Sequence, residues 1–344
     1  MRYIIVLLLF FYGLAFGADF RKLNRNDQVL LPQDLYYRGD YKSQWWYFTG
    51  HLTATDGRKF GFEFTIFVVN LNKRNYKSKF GLNRIYISHL AITDIDNKKY
   101  YFEDDTLRGS HNEALADSDR LFVKVFDDLI SGSIEKFFLK GKASNFSFDL
   151  ELIPIKKPIL NGENGYSNKI SGCEECASLY FSITRLKTRG VVELNGQKYR
   201  VNGESWFDRE INSDYKTDKL KGWDWFSLML DDGTELVIYR IKNKYGNVDK
   251  SSYAAFVDKY GGKINIDFKD IKIRPIDFYL SKKTGAKYPI KWEMVISNKK
   301  IYVESMMEDQ EFIASKSTFN YYYEGACRVY GDLTGKGYME LTGY

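Results

Sequence analysis

Histidine and proline are scarce in this chain, with 3 and 5 residues among 344. The three histidines, His51, His89 and His111, leave little material for Ser-His-Asp or metal-histidine chemistry. No Gly-x-Ser-x-Gly elbow and no phosphate-cradling glycine loop occurs, which sets aside α/β-hydrolase and P-loop chemistry. Nothing in the residues asks for a cofactor or a metal. Charge of one sign is not dominant either: 51 basic residues stand against 45 acidic ones, scattered along the chain, for a net +6. A nucleic-acid partner usually shows as a basic stripe, so none is expected. Beyond the first seventeen residues no stretch is apolar enough to span a bilayer. Helical periodicity is also weak; only His111 to Ile130 could hold a short helix.

Aromatic rings, by contrast, are abundant: 27 Tyr, 25 Phe and 6 Trp. Flat rings suit pleated, half-buried surfaces, and the chain alternates with the period of strands. Gly61-Phe-Glu-Phe-Thr-Ile-Phe-Val-Val69, Asn83 to Thr93, Phe146 to Leu152, Leu236 to Ile241 and Met339 to Thr342 all follow it. Asp56-Gly57, Asn195-Gly196 and Asp232-Gly233 supply the positive φ angles of tight hairpins. The fold class is therefore all-β, as antiparallel barrels or sandwiches. A tryptophan pair opening a strand, then a hairpin, occurs twice, at Gln44-Trp-Trp-Tyr-Phe48 and at Gly222-Trp-Asp-Trp-Phe226. The repeat and a length suited to two domains of ~150 residues predict two similar β-domains. The polar stretch Asn161 to Gly172 is the expected join, giving domains 18–165 and 166–344. So many large rings also predict a lined cavity, with Trp45, Trp46, Tyr47, His89, Tyr180, Trp223 and Trp225 as candidate ligand-binding residues.

Arg2, the apolar run Tyr3 to Tyr12 and the small residues Ala15 and Gly17 describe a secretory leader, 1–17, cleaved before Ala18. The mature protein is expected to be periplasmic or secreted; an uncleaved anchor is the alternative. Outside the cytoplasm, Cys173-Glu-Glu-Cys176 reads as a local disulfide, with free thiols the alternative. A zinc site would need two further ligands, which the neighbourhood lacks. Cys327 lies in an apolar strand pattern and reads as a small core residue.

One segment could do chemistry: Val201-Asn-Gly-Glu-Ser-Trp-Phe-Asp-Arg-Glu-Ile211. On a strand, Glu204, Trp206, Asp208 and Glu210 share one face, and Ser205, Phe207, Arg209 and Ile211 the other. An acid beside a tryptophan on an enclosed face is desolvated, and desolvation raises a carboxyl pKa. A carboxyl kept neutral among rings is a proton donor. The alternative is a structural ion pair of Asp208 with an arginine such as Arg209 or Arg240.

Gln44-Trp-Trp-Tyr-Phe-Thr-Gly-His-Leu52, Ser88-His-Leu-Ala-Ile-Thr-Asp94, Trp206-Phe-Asp-Arg-Glu210, Gly222-Trp-Asp-Trp-Phe-Ser227 and Gly337-Tyr-Met-Glu-Leu-Thr-Gly-Tyr344 occur in one order. That set resembles the AttH-like, carotenoid 1,2-hydratase-related family of exported lipocalin-like proteins, over nearly the whole mature chain. The resemblance implies two lipocalin-like β-barrels packed together. In the hydratase branch a carboxylic acid protonates an isolated alkene, the cation is held among rings, and water attacks. The resemblance places that acid on Asp208, with Trp206 beside it and the carboxyl in a cavity of the second barrel near Trp223 or Trp225. The histidine that the hydratases carry near the start of the second half is missing from Ala177-Ser-Leu-Tyr-Phe-Ser182, and Ile211 stands where close relatives have Trp. The AttH-like branch implies a secreted hydrolase or a component accompanying an ABC-type membrane transporter. The expectation is thus an exported protein binding a hydrophobic, isoprenoid- or lipid-like small molecule, with a cofactor-independent lyase or hydrolase using Asp208 as the alternative. N-terminal sequencing of exported protein should read Ala18 first; Met1 retained in a membrane-embedded product would overturn the leader.

Overall fold

The computed structural model describes residues 20–72, 82–109, 112–213 and 218–344; the expected leader and His111 lie outside them. Among the described residues no helix is long and apolar enough to cross a membrane. The first sheet holds β1 (Ser43–Ala54), β2 (Lys59–Asn70), β3 (Arg84–Asp94), β4 (Lys99–Arg108), β5 (Ala114–Ala116), β6 (Leu121–Val125), β7 (Asp128–Ser133), β8 (Lys136–Lys142), β9 (Phe146–Pro154), β10 (Ile159–Leu160), β11 (Tyr166–Asn168), β12 (Ala177–Leu194) and β13 (Gln197–Asn212). The second holds β14 (Leu220–Leu230), β15 (Glu235–Asn243), β16 (Tyr253–Val257), β17 (Lys263–Ile266), β18 (Ile271–Leu280), β19 (Lys287–Ile296), β20 (Lys299–Ser305), β21 (Glu311–Ala314), β22 (Asn320–Gly331) and β23 (Gly335–Leu341). All pairings are antiparallel, in the orders β4-β3-β2-β1-β13-β12-β9-β8-β7-β6-β5 and β17-β16-β15-β14-β23-β22-β20-β19-β18. The first sheet curls into a nearly closed barrel and the second into a half-barrel, as in a two-domain lipocalin-like fold.

The turn chemistry works as the dipeptides predict. Asn195 and Gly196 both take positive φ between β12 and β13, which lets a two-residue connection follow the strand twist. The β1–β2 and β14–β15 hairpins turn at Gly57 and Gly233, so the tryptophan-hairpin repeat is a repeat of structure too. Two expectations differ from what is observed. The stretch 112–130 forms no helix; Leu121, Val123 and Val125 are buried at period two, and the segment folds as β5, β6 and the start of β7. The 165/166 join falls inside the first sheet, where β10 and β11 on either side of it both pair with β12. The sheets change over between Asn212 and Leu220, because β13 lies between β1 and β12.

Among the described residues three large apolar cores result, with a small fourth around Phe312 and Tyr322. One fills the barrel, around Trp46, Phe48, Phe64, Phe137, Phe148 and Phe207. Another fills the half-barrel, around Phe226, Trp292, Met294 and Tyr323. The third lies between the sheets and draws Tyr47, Tyr180 and Trp206 from the first and Trp225, Tyr239 and Tyr338 from the second. This third core explains why β1, β2 and β3 are buried almost continuously rather than at every second residue: one face meets the barrel interior, the other the second sheet. Cys173 and Cys176 form a disulfide, Cα atoms 5.3 Å apart, in the loop before β12, and Cys327 is a free, buried thiol.

Arg209, on the barrel side of β13, is fully buried. Its guanidinium lies 3.9 Å from the centre of the Trp46 ring and donates to the carbonyls of Tyr36, Trp45 and Glu210 and to Gln44 Oε1, at 2.8–3.2 Å. Burial presses its pKa down, and the charge of Asp34 opposes that. Four acceptors depend on one side chain. Arg209→Leu is therefore expected to lower stability by about 3 kcal/mol, since buried acceptors left without donors cost about 1–3 kcal/mol each and relax in part. A urea midpoint unchanged from wild type would contradict this.

Candidate active site

On β13 the alternation runs as the pattern predicts. Phe207, Arg209 and Ile211 face the barrel, and Trp206 and Asp208 face the second sheet. Asp208 is 4% exposed. Its Oδ1 accepts hydrogen bonds from Trp206 Nε1, at 2.7 Å, and from the Ser182 hydroxyl. Its Oδ2 accepts from Tyr180 Oη at 2.6 Å. Tyr180 Oη in turn accepts from Trp225 Nε1 of the second sheet, at 3.1 Å. Among the described residues no guanidinium clasps the carboxyl: Arg209 points the other way, and Arg240 pairs with Asp224. Burial pushes the Asp208 pKa from 3.8 up to about 7, against the pull of three hydrogen bonds and with help from the charge of Glu210. Two donors occupy Oδ1, so a proton on this carboxyl belongs on Oδ2.

Strand register turns this residue into part of a row. Across the first sheet lie Ser182, Asp208, Tyr47, Thr65, His89 and Asp104, each opposite the next. Across the second lie Tyr253, Tyr239, Trp225, Glu340 and Glu324. The rows meet in the seam. Trp225 stands edge-on to Tyr47 at 5.2 Å and to Trp206 at 6.3 Å. Tyr47 Oη donates to Glu324 Oε1 at 2.8 Å. Burial raises Glu340 to about 7 against a bond from Trp223, and the charges of Glu210 and Asp208 add to it. Lys169, 3.1 Å from Glu210, lies 4.9 Å from the ring centres of both Tyr180 and Tyr239. The seam can thus hold a neutral acid against ring faces and hand a proton to something apolar between the sheets.

The expected site residues divide. Tyr47, Tyr180, Trp206, Asp208 and Trp225 come together, with Trp45 and Trp223 half-buried at the margin. The carboxyl belongs to the first sheet and opens on the seam rather than into the second barrel, because β13 pairs with β1. Trp46 is in the barrel core, donating to the Leu35 carbonyl at 2.7 Å, because it is one residue out of phase with Trp45 and Tyr47. His89 shares the row but sits three strands away, about 14 Å at ordinary strand spacing. There it bonds Tyr322 Oη at 2.8 Å and Ser317 Oγ at 3.0 Å, and burial lowers its pKa to about 4. Sequence reasoning missed Ser182, Tyr239, Glu63, Glu324 and Glu340. For the glutamates a signal existed: each is a lone acid inside a strand of rings or aliphatics, as in Phe62-Glu63-Phe64 and Tyr323-Glu324.

The AttH-like family model matches residues 22–344. The chain is similar in structure to an AttH-type protein from Nitrosomonas europaea, with a TM-score of 0.85, 30% identity and coverage of 93% of this chain and 98% of that one. Kievitone hydratase from Nectria haematococca superposes with a TM-score of 0.72 at 16% identity, over 94% and 96% of the two chains. CghA, solved with Sch210972, gives 0.56 at 11%, over 92% and 94%. At those identities the last two likenesses concern the fold. No curated protein matches by sequence.

The Asp208 carboxyl also sets a pH dependence. Its pKa is raised in the folded state, so its stabilising contribution is complete below the ordinary 3.8 and is lost as pH rises through about 7. Relative to Asp208→Asn, the wild type should lose up to about 4 kcal/mol between about pH 4 and pH 8. Urea midpoints of the two proteins across that range check it; a difference independent of pH would contradict the assignment.

Proposed function

The chain belongs to the AttH-like family, and on that premise we propose that it is a cofactor-independent proton-transfer enzyme of hydratase type, with Asp208 as the acid and an apolar alkene as substrate. One observation carries the reading. Asp208 is buried between two sheets with three donors and no counter-charge, facing ring edges that a ligand could replace as neighbours. A protein that only holds an apolar molecule gains nothing from a desolvated carboxyl, which costs free energy whenever it ionises.

The chemistry balances. The alkene π pair takes the proton from Asp208 Oδ2, a C–H bond forms, and the more substituted carbon becomes cationic. The faces of Trp225 and Tyr47 and the new carboxylate stabilise that charge. Water adds to the cation and gives up a proton to the Asp208 carboxylate, restoring the acid. Tyr180 and Ser182 stand where the hydratase histidine is missing, and both hold the carboxyl by hydroxyl groups. Their donation supports the carboxylate formed in mid-reaction.

The expected role beside a membrane transporter uses the same seam as a carrier site, and one assay separates the two. Purified protein incubated with geranylgeraniol, an isoprenoid with trisubstituted double bonds, in deuterated water should yield the alcohol of hydration with one deuterium on carbon. Asp208→Asn should keep the fold and cut that rate by about 10²–10⁴. Undiminished turnover in the variant would sink the acid, and binding of the probe without turnover would favour the carrier.

A further inference from the structure

A second group of carboxyls lies further along the seam, two strands from Asp208. Glu63 on β2 and Glu324 on β22 are each 1% exposed. Glu63 Oε1 accepts from Thr65 Oγ1, and Glu324 Oε1 accepts from Tyr47 Oη. Their second oxygens, Glu63 Oε2 and Glu324 Oε2, are buried and have no hydrogen-bond partner, and neither does the buried hydroxyl of Tyr100 on β4. The groups that face them are all neutral or acidic: Tyr47 from β1, Tyr100 from β4, Tyr322 from β22, and Tyr338 and Glu340 from β23. Lys169, a cation elsewhere in the seam, is paired with Glu210. Tyr100 also walls a surface depression of about 180 Å³ at the β4 edge, shared with Phe102, Glu103 and Asn145.

Orphaned acceptors in a protein interior call for a donor, and orphaned carboxyls call for a positive one. The cluster does not have the arrangement of a metal cage among the described residues. Rings surround it, which suits a cation carried on an apolar body. We propose that Glu63 and Glu324 form a binding site for a protonated amine, whose N–H groups donate to the two free carboxyl oxygens while its apolar portion lies along Tyr47 and Trp225 toward Asp208. This site does not depend on proton transfer at Asp208. A protein that binds the amine but hydrates no alkene loses only the earlier reading.

Proton balance gives the site a signature. Without a cation, burial above all, and then the charge of Glu340, hold both glutamates well above the ordinary carboxyl range, and Glu63 adds to the effect on Glu324. An arriving ammonium group, with a pKa near about 10, keeps its proton, so the carboxyls release theirs to solvent. The probe is 4-phenylbutylamine, with 4-phenylbutan-1-ol as its uncharged counterpart, followed by calorimetry and tryptophan fluorescence on the full chain. The amine should bind one to one, about tenfold or more tighter than the alcohol. Its affinity should rise from about pH 6 to about pH 8, with proton release seen as a dependence of the heat on buffer ionisation. Glu63→Gln and Glu324→Gln should each remove the advantage of the amine and leave the alcohol unchanged. Equal binding of amine and alcohol by the wild type, no binding at millimolar probe, or an affinity that falls as pH rises would each overturn the proposal, whether or not the variants fold. A folded Gln variant that still prefers the amine would overturn it as well.

Discussion

The architecture turns on the burial of acid without counter-charge between two sheets. A carboxyl moved from water into an apolar interior loses several kcal/mol as an anion, and a protein normally offsets this with a cation. Among the described residues Asp208, Glu63, Glu324 and Glu340 have none, and hydroxyl and indole donors stand in their place. Protonation is the state in which such groups are tolerated, so the seam stores protons by construction. Two buried acids elsewhere are paired with cations. Glu235, fully buried, meets Lys156 and Arg185, and Asp224 meets Arg240 and Lys242. Among the described residues Glu311, also fully buried, is held by the hydroxyls of Ser281, Thr284 and Tyr288 alone, so the seam differs from the rest of the interior by gathering several such acids between two sheets.

The two sheets make this possible by facing each other in register. β1 lies against β23, β2 against β22 and β12 against β14, so each row of side chains on one sheet meets a row on the other. Antiparallel sheets commonly leave one face to water. Here the outer face of a barrel is covered by the outer face of a half-barrel, and residues that a lone barrel would show to solvent become interior. Lone acids such as Glu63 and Glu324 lie on that covered face.

Much of the fold was legible because it is local. Period-two alternation located most strands, and Asn195-Gly196 and Asp232-Gly233 located hairpins, because these depend on neighbours a few residues apart. The face assignment on β13, with Trp206 and Asp208 opposite Phe207 and Arg209, held for the same reason. What was not legible depends on partners distant in sequence. The join near 165 looked like a boundary by composition, yet β13 inserts between β1 and β12 and carries the first sheet on to Asn212. Trp46 looked like its neighbours, but one step along a strand turns a side chain to the opposite face. The burial of Glu63, Glu324 and Glu340 was not legible, because nothing local announces a second sheet above them.

The placement of β13 has a consequence for the order in which the molecule is built. Tyr47 and Asp208 stand opposite each other although 208 − 47 = 161 residues separate them in the chain. The hairpin of β12 and β13 closes over two residues, whereas the β1–β13 ladder must close a loop almost half the length of the protein. Loop closure of that size is slow compared with hairpin formation. The chain up to Asn212 must therefore exist before the barrel can seal, and the second sheet is made entirely of residues after that point. The surroundings of Asp208 are accordingly among the last features to form, because a chain that ends at β13 has the carboxyl but none of the second sheet that buries it.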